Sequence, residues 1–209
     1  MEERKRLNGY YNYTVVLTYL GMVSGFAGII FAIGARIKLS VMCLMVAGLC
    51  DMFDGTVAAT KQRDEKEKKF GIQIDSLSDL VCFGVLPALI TYTMTDNSIW
   101  AAVCGGFYVL CALIRLAYFN VCEEERQNTE SHSRRYYAGL PVTSAALIIP
   151  LVAIIIEYIN VQTILFPLLV LIAMAVAFIS TFKVKKPHTA GKIAVGAAGL
   201  VLFVILLLI

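Results

Sequence analysis

Seven mainly apolar runs of about 20 residues, the length a helix needs to cross a hydrocarbon core of roughly 30 Å, succeed one another along the chain. They lie near Tyr13–Ala35, Leu39–Thr60, Gly71–Met94, Ser98–Val121, Leu140–Glu157, Thr163–Phe182 and Thr189–Ile209, with short polar or charged segments between them. Each run predicts one transmembrane helix, so the expected fold is an all-α integral membrane protein. Alternation of apolar and polar positions is nowhere sustained, which argues against a β-barrel. The first run is too long for a cleaved leader, and no small-residue cleavage site follows it. No internal repeat or low-complexity tract interrupts the pattern.

Composition agrees with the pattern. Of 209 residues, 59% are hydrophobic and 16% charged, and the mean hydropathy is +0.76. Ordinary globular chains carry roughly 45–50% apolar and about 25% charged residues. These values exclude a disordered tail, a secreted disulfide scaffold and a nucleic-acid-binding domain. The six cysteines lie in or at the ends of runs without a close pair, so they predict small packing residues rather than disulfides or a zinc site.

The net charge of +3 is small, but its placement is informative. Lys and Arg collect in segments 1–12, 61–70, 122–139 and 183–192, while Arg36 and Lys38 alone fall in the alternate connections and Arg115 falls within the fourth run. The positive-inside rule then puts the N-terminus in the cytoplasm and Ile209 outside, in a multi-pass protein of the cell (plasma) membrane. Residues 1–12, rich in cations and tyrosine, are either an interfacial segment on anionic lipid or a solvated tail that sets topology.

Four carboxylates need a separate explanation. Asp51 and Asp54 fall near the cytoplasmic end of the second run, and Asp75 and Asp79 near the cytoplasmic start of the third. A carboxylate within a bilayer is costly and marks a functional site by default. The spacings i,i+3 and i,i+4 put each pair on one helix face. Two consecutive helices joined by a ten-residue charged loop pack antiparallel, which brings both pairs to one depth. Four hard oxygen donors suit Mg²⁺ or Mn²⁺, and can hold two such ions. Gly55, Ala58 and Gly71 leave room for a ligand to approach the backbone, although Gly71 serves helix packing equally well.

The pattern D51-x2-D54-G55-x2-A58, then G71-x3-D75-x3-D79, resembles the signature of the CDP-alcohol phosphatidyltransferases. Two departures stand out: the family Arg falls at Ala59, and the spacer covers eleven residues, 60–70. Lys61 and Arg63 are the nearby cations that can take the place of that Arg. The segments DSLSDLVCFGVLPA (75–88), IRLAYFN (114–120), GLPVTSA (139–145) and FKVKKPH (182–188) resemble the phosphatidylserine synthase branch of Gram-positive bacteria and archaea. Leu80 stands where the glycerophosphate-using branch usually has Lys.

The resemblance implies six transmembrane helices around a cavity open to the cytoplasm, usually in a homodimer. Residues 13–188 would form this core, after the 1–12 segment, and 189–209 would add a seventh helix. It implies that Asp51, Asp54, Asp75 and Asp79 hold two divalent cations per subunit, which bind the pyrophosphate of CDP-diacylglycerol. Thr18, Gly55, Ala58, Lys61 and Gly71 would join Asp51 in contacting this substrate. The implied reaction is attack of the L-serine hydroxyl on the lipid-side phosphorus with release of CMP, Asp79 acting as general base. Arg115 either meets the serine carboxylate or neutralises the aspartates, and Asn120 is a candidate for the serine amine.

The same chemistry with inositol phosphate or glycerol phosphate as acceptor is the main alternative. A membrane prenyltransferase would carry a second aspartate-rich motif, which this chain lacks. An ion-coupled transporter would place its carboxylates nearer the bilayer midplane.

Overall fold

In a bilayer every backbone polar group must be satisfied internally, which leaves helices as the spanning units for runs of this length. The structure, a computed structural model, describes residues 9–129, 136–159, 164–185 and 189–208. Its helices are α1 (Val16–Ile33), α2 (Ile37–Ala58), α3 (Glu65–Asp79), α4 (Leu86–Met94), α5 (Ile99–Thr129), α6 (Ala145–Ile159), α7 (Leu165–Ile179) and α8 (Thr189–Leu208). A π-helical turn, Leu80–Val85, joins α3 to α4, so Glu65–Met94 is one continuous helix. Among the described residues, four helices are long and apolar enough to cross a membrane, and Val142–Tyr158, Leu165–Ile179 and Ile193–Leu208 are shorter apolar helices. All seven lie at the positions of the expected runs, four of them with the length and hydropathy of a span. The residues between α7 and α8 include Lys186, outside the described set.

Two boundaries differ from the hydropathy pattern, for the same reason. The third helix begins at Glu65 rather than Gly71, and α5 continues to Thr129 rather than ending near Val121. Hydropathy registers the membrane-embedded part alone, whereas capping also extends a helix into water. The Asp64 side chain accepts a hydrogen bond from the Glu67 amide at 2.6 Å, which satisfies one orphan donor of the first turn. Glu65 and Glu67 also complement the helix dipole there. The expected ten-residue loop therefore shrinks to Ala59–Asp64. Lys69 on this extension reaches Glu124 on the extended α5 at 3.2 Å, an exposed pair worth about 0–1 kcal/mol.

Close packing holds α1 against its neighbours. A Cβ on Gly25 would collide with Cys82 Sγ, and one on Gly28 would stand 2.8 Å from Leu86 Cδ2. Small residues permit such backbone approach in a solvent that supplies no hydrophobic drive between helices. Ser40 Oγ donates to Gly28 O at 2.8 Å, and Ser24 Oγ to Cys43 O at 3.0 Å. At the other side of the bundle Gly48 lies against α6, where an added Cβ would be 2.5 Å from Ala146 Cβ.

The π-helical turn has an identifiable support. Pro87 has no N–H, so it cannot donate to Phe83 O four residues earlier. Tyr108 of α5, fully buried, fills that role: its hydroxyl donates to Phe83 O at 2.7 Å. The Tyr108 ring packs on Phe178 of α7 with centroids 5.2 Å apart. Tyr108→Phe is therefore expected to lower stability by about 1–3 kcal/mol, the cost of a buried carbonyl left unsatisfied, measured as thermal unfolding in detergent.

Two short strands, β1 (Tyr136–Ala138) and β2 (Lys183–Lys185), pair antiparallel after α5 and α7. Gly139, with φ +70°, continues this contact by donating its amide to Phe182 O at 2.8 Å. Residues 136–139 and 182–185, distant in sequence, thus meet after α5 and α7. Large apolar side chains such as Val23, Ile33, Trp100 and Leu208 face outward, as lipid-covered helices require.

Candidate active site

Asp51 and Asp54 sit seven and four residues before the end of α2, about 10 and 6 Å along its axis. Asp75 and Asp79 lie on the facing helix, with Asp79 its last residue before the π-helical turn. The two pairs converge as their spacing predicts, with α1 packed against both α2 and α3. Carboxylate oxygens of Asp51, Asp54 and Asp75 all lie within 4.8 Å of one another. Asp79 is outside that triad but lines the same recess, with Thr18 and Gly21 of α1 and Ser78 and Cys82 of the third span.

All four carboxylates are partly buried. At 4.8 Å and an effective dielectric of about 20, each pair of ionised groups repels by roughly 3–4 kcal/mol. A divalent cation relieves this repulsion, and the donor set is the hard-oxygen kind that Mg²⁺ and Mn²⁺ take. The residues present therefore fit such an ion. Thr18 Oγ1 donates to Asp54 Oδ2 at 3.3 Å and orients that carboxylate.

Gly55, next to Asp54, has nothing within 4 Å of where a Cβ would stand. This open face adjoins the triad on the side of the α2–α3 connection, with Ala58 one turn further on and partly buried. Lys61 is in an ion pair: its Nζ meets Glu67 Oε1 at 3.0 Å, and Asn12 Nδ2 donates to the same oxygen at 2.9 Å. Gly71 faces Arg63, whose Nη1 would stand 3.0 Å from an added Cβ.

Arg115 and Asn120 approach from α5. The Arg115 guanidinium lies 5.8 Å from the Phe119 ring centroid and acts electrostatically on Asp79. Asn120 Oδ1 accepts from Ser76 Oγ at 2.7 Å, which puts it beside the helix that carries Asp75 and Asp79. The sequence reading missed Ser78 and Glu67. Ser78 is buried in the recess wall with its hydroxyl 3.5 Å from Thr18 O; a small polar residue between two aspartates of one span was the available signal. Glu67, placed among solvated charges, gathers Lys61 and Asn12.

A profile of the CDP-alcohol phosphatidyltransferase family matches residues 11–182. The chain is similar to CDP-diacylglycerol–serine O-phosphatidyltransferase of Saccharomyces cerevisiae, 32% identical over 144 residues, or 63% of this chain and 51% of the relative. It is similar also to archaetidylserine synthase of Methanothermobacter thermautotrophicus, 31% identical over 150 residues, covering 71% and 60%. CDP-diacylglycerol–serine O-phosphatidyltransferase of Mycobacterium leprae is 31% identical over 144 residues, covering 68% and 47%. The chain thus spans about half the length of the curated relatives it matches. With four carboxylates of the signature gathered at one recess and the profile extending over most of its length, this chain belongs to the CDP-alcohol phosphatidyltransferase family.

Proposed function

We propose that this protein transfers the phosphatidyl group of CDP-diacylglycerol to L-serine, giving phosphatidylserine and CMP. The observation that carries the reading is the meeting of the Asp51, Asp54 and Asp75 carboxylates within 4.8 Å, in a recess that Asp79 also lines. Serine as acceptor is supported by the names of the three relatives, each a serine-using enzyme by its description.

The serine hydroxyl oxygen bonds to the lipid-side phosphorus. The bond from that phosphorus to the bridging oxygen breaks, and CMP departs with that oxygen and its electron pair. The hydroxyl proton passes to Asp79, which lines the recess outside the close triad. Cations held by Asp51, Asp54, Asp75 and Asp79, two per subunit as Mg²⁺ or Mn²⁺, would polarise the phosphate oxygens and offset charge on the leaving nucleotide. Thr18 keeps Asp54 in place, while Gly55, Ala58 and Gly71 leave space for the nucleotide. Arg115 supplies positive charge beside Asp79 for the serine carboxylate, and Asn120 holds a polar edge toward the amine.

The cation-rich connections beside the recess support a cytoplasmic site in a plasma-membrane protein. The family profile over 11–182 supports 13–188 as the catalytic core with 189–209 as an added helix. A homodimer is the proposed assembly, by resemblance to the family.

Purified protein with CDP-diacylglycerol, Mn²⁺ or Mg²⁺ and a panel of alcohols tests the reading. CMP release with L-serine is the expected result. Release with inositol phosphate or glycerol phosphate instead overturns the acceptor and keeps the chemistry. No metal-dependent release with any alcohol overturns the reaction itself.

A further inference from the structure

We infer that Arg63 is a phosphate-binding residue for the nucleotide substrate, seated on the bare backbone of Gly71 at the rim of the carboxylate recess. The inference rests on the proposed reading of the site and deepens it by naming a cation, one helical turn from Asp75, that meets the substrate's charge.

Three observations carry it. The Arg63 guanidinium reaches from the α2–α3 connection onto α3, where its Nη1 would stand 3.0 Å from a Cβ on Gly71. Gly71 and Asp75 are four residues apart in one helix, so they share a face and lie about 6 Å apart along the axis. The guanidinium is therefore held one turn from a carboxylate of the triad. Finally, two neighbouring cations are taken up by ion pairs: Lys61 meets Glu67 and Lys69 meets Glu124. Arg63 belongs to neither ion pair, and Gly55 leaves the adjoining face of α2 open.

A partly buried cation one helical turn from a clustered set of carboxylates suits an anion able to bridge the arginine and a divalent cation. A pyrophosphate is such a ligand, and the planar fork of Arg matches two of its oxygens at once. A side chain at position 71 would push the fork outward, so the glycine has a role here besides helix packing. Ala59, four residues before Arg63, offers no polar atom to do the same work.

The test measures CDP binding to the full chain in detergent with Mn²⁺ present, for the wild type, Arg63→Gln, Arg63→Lys and Lys66→Gln. Arg63→Gln is expected to weaken CDP binding roughly tenfold to hundredfold, the loss that follows removal of a charged hydrogen-bond donor. Arg63→Lys should fall between, since it keeps the charge and loses the fork. Mn²⁺ binding without nucleotide should be unchanged in both, and Lys66→Gln should bind CDP as the wild type does. In turnover, the loss should appear in the KM for CDP-diacylglycerol more than in kcat. Equal CDP affinity in wild type and Arg63→Gln overturns the inference and leaves the proposed reaction standing. An equal loss in Lys66→Gln, or a parallel loss of Mn²⁺ binding in Arg63→Gln, also overturns it. Failure of the wild type to bind CDP at all overturns the reading of the site on which it rests.

Discussion

Asp79→Asn is expected to slow CMP release by about 10²- to 10⁴-fold, the range that a positioned proton acceptor contributes. Asparagine keeps the size and shape of the side chain and removes its capacity to take the serine proton. The structure makes this variant a clean one. The oxygens that converge within 4.8 Å belong to Asp51, Asp54 and Asp75, so Mn²⁺ binding at that triad should persist after the change. The loss should therefore fall on kcat, with the KM for CDP-diacylglycerol altered only a few-fold. Removing one of several like charges from a shared recess also leaves the fold intact, which a thermal melt will show. CMP release at the wild-type rate would remove Asp79 from the proton transfer.

Asp75→Asn should behave differently, and the contrast is the useful result. Asp75 is a member of the triad, so its loss should reduce Mn²⁺ affinity by on the order of 10²-fold or more and bring CMP release to background. Raising the Mn²⁺ concentration should recover part of the activity in this variant and less in Asp79→Asn, where added metal does not restore the proton acceptor. Stability should change in the opposite sense. Without metal, each ionised pair in the triad repels by roughly 3–4 kcal/mol, so Asp75→Asn should melt no lower than the wild type and is expected to melt higher. With saturating Mn²⁺ the order should reverse, because the wild type then gains the free energy of binding. Isothermal titration with Mn²⁺ and melts at both metal levels measure this. A metal-free melt lower than the wild type would assign the cluster a structural role.

How much of this was legible in the sequence depends on whether the cause is local. The spans were legible because hydropathy is a property of each run, and the aspartate pairs because i,i+3 and i,i+4 spacing fixes a helix face. The extension of the third helix to Glu65 was legible in principle: Asp64 and Glu67 have the spacing of a capped N-terminus, but a run of charges hides a helix from a hydropathy count. The contacts that refine the site were out of reach. Ser76 and Asn120 are 44 residues apart, and Tyr108 supports a carbonyl 25 residues away. Lys61 shows the limit from the other side: its sequence position suited a substrate contact, and the folded chain adds an ion pair with Glu67 that the sequence did not indicate.

The π-helical turn after Asp79 separates two tasks that a regular helix would fuse. In an uninterrupted helix, residues seven apart point the same way, so Asp79 would share its bearing with Leu86, and Asp75 and Ile90 would fall on that same line. The wider turn at Leu80–Val85 offsets the two halves by about 100°, the angle of one residue. Leu86 and Ile90 are fully buried in the outer half while the aspartates keep their own bearing toward the recess. Apolar repacking deep in the bundle therefore leaves the aim of the carboxylates alone. A change of one residue in chain length within the turn does the reverse: it preserves the composition of both halves and swings the carboxylates away from each other.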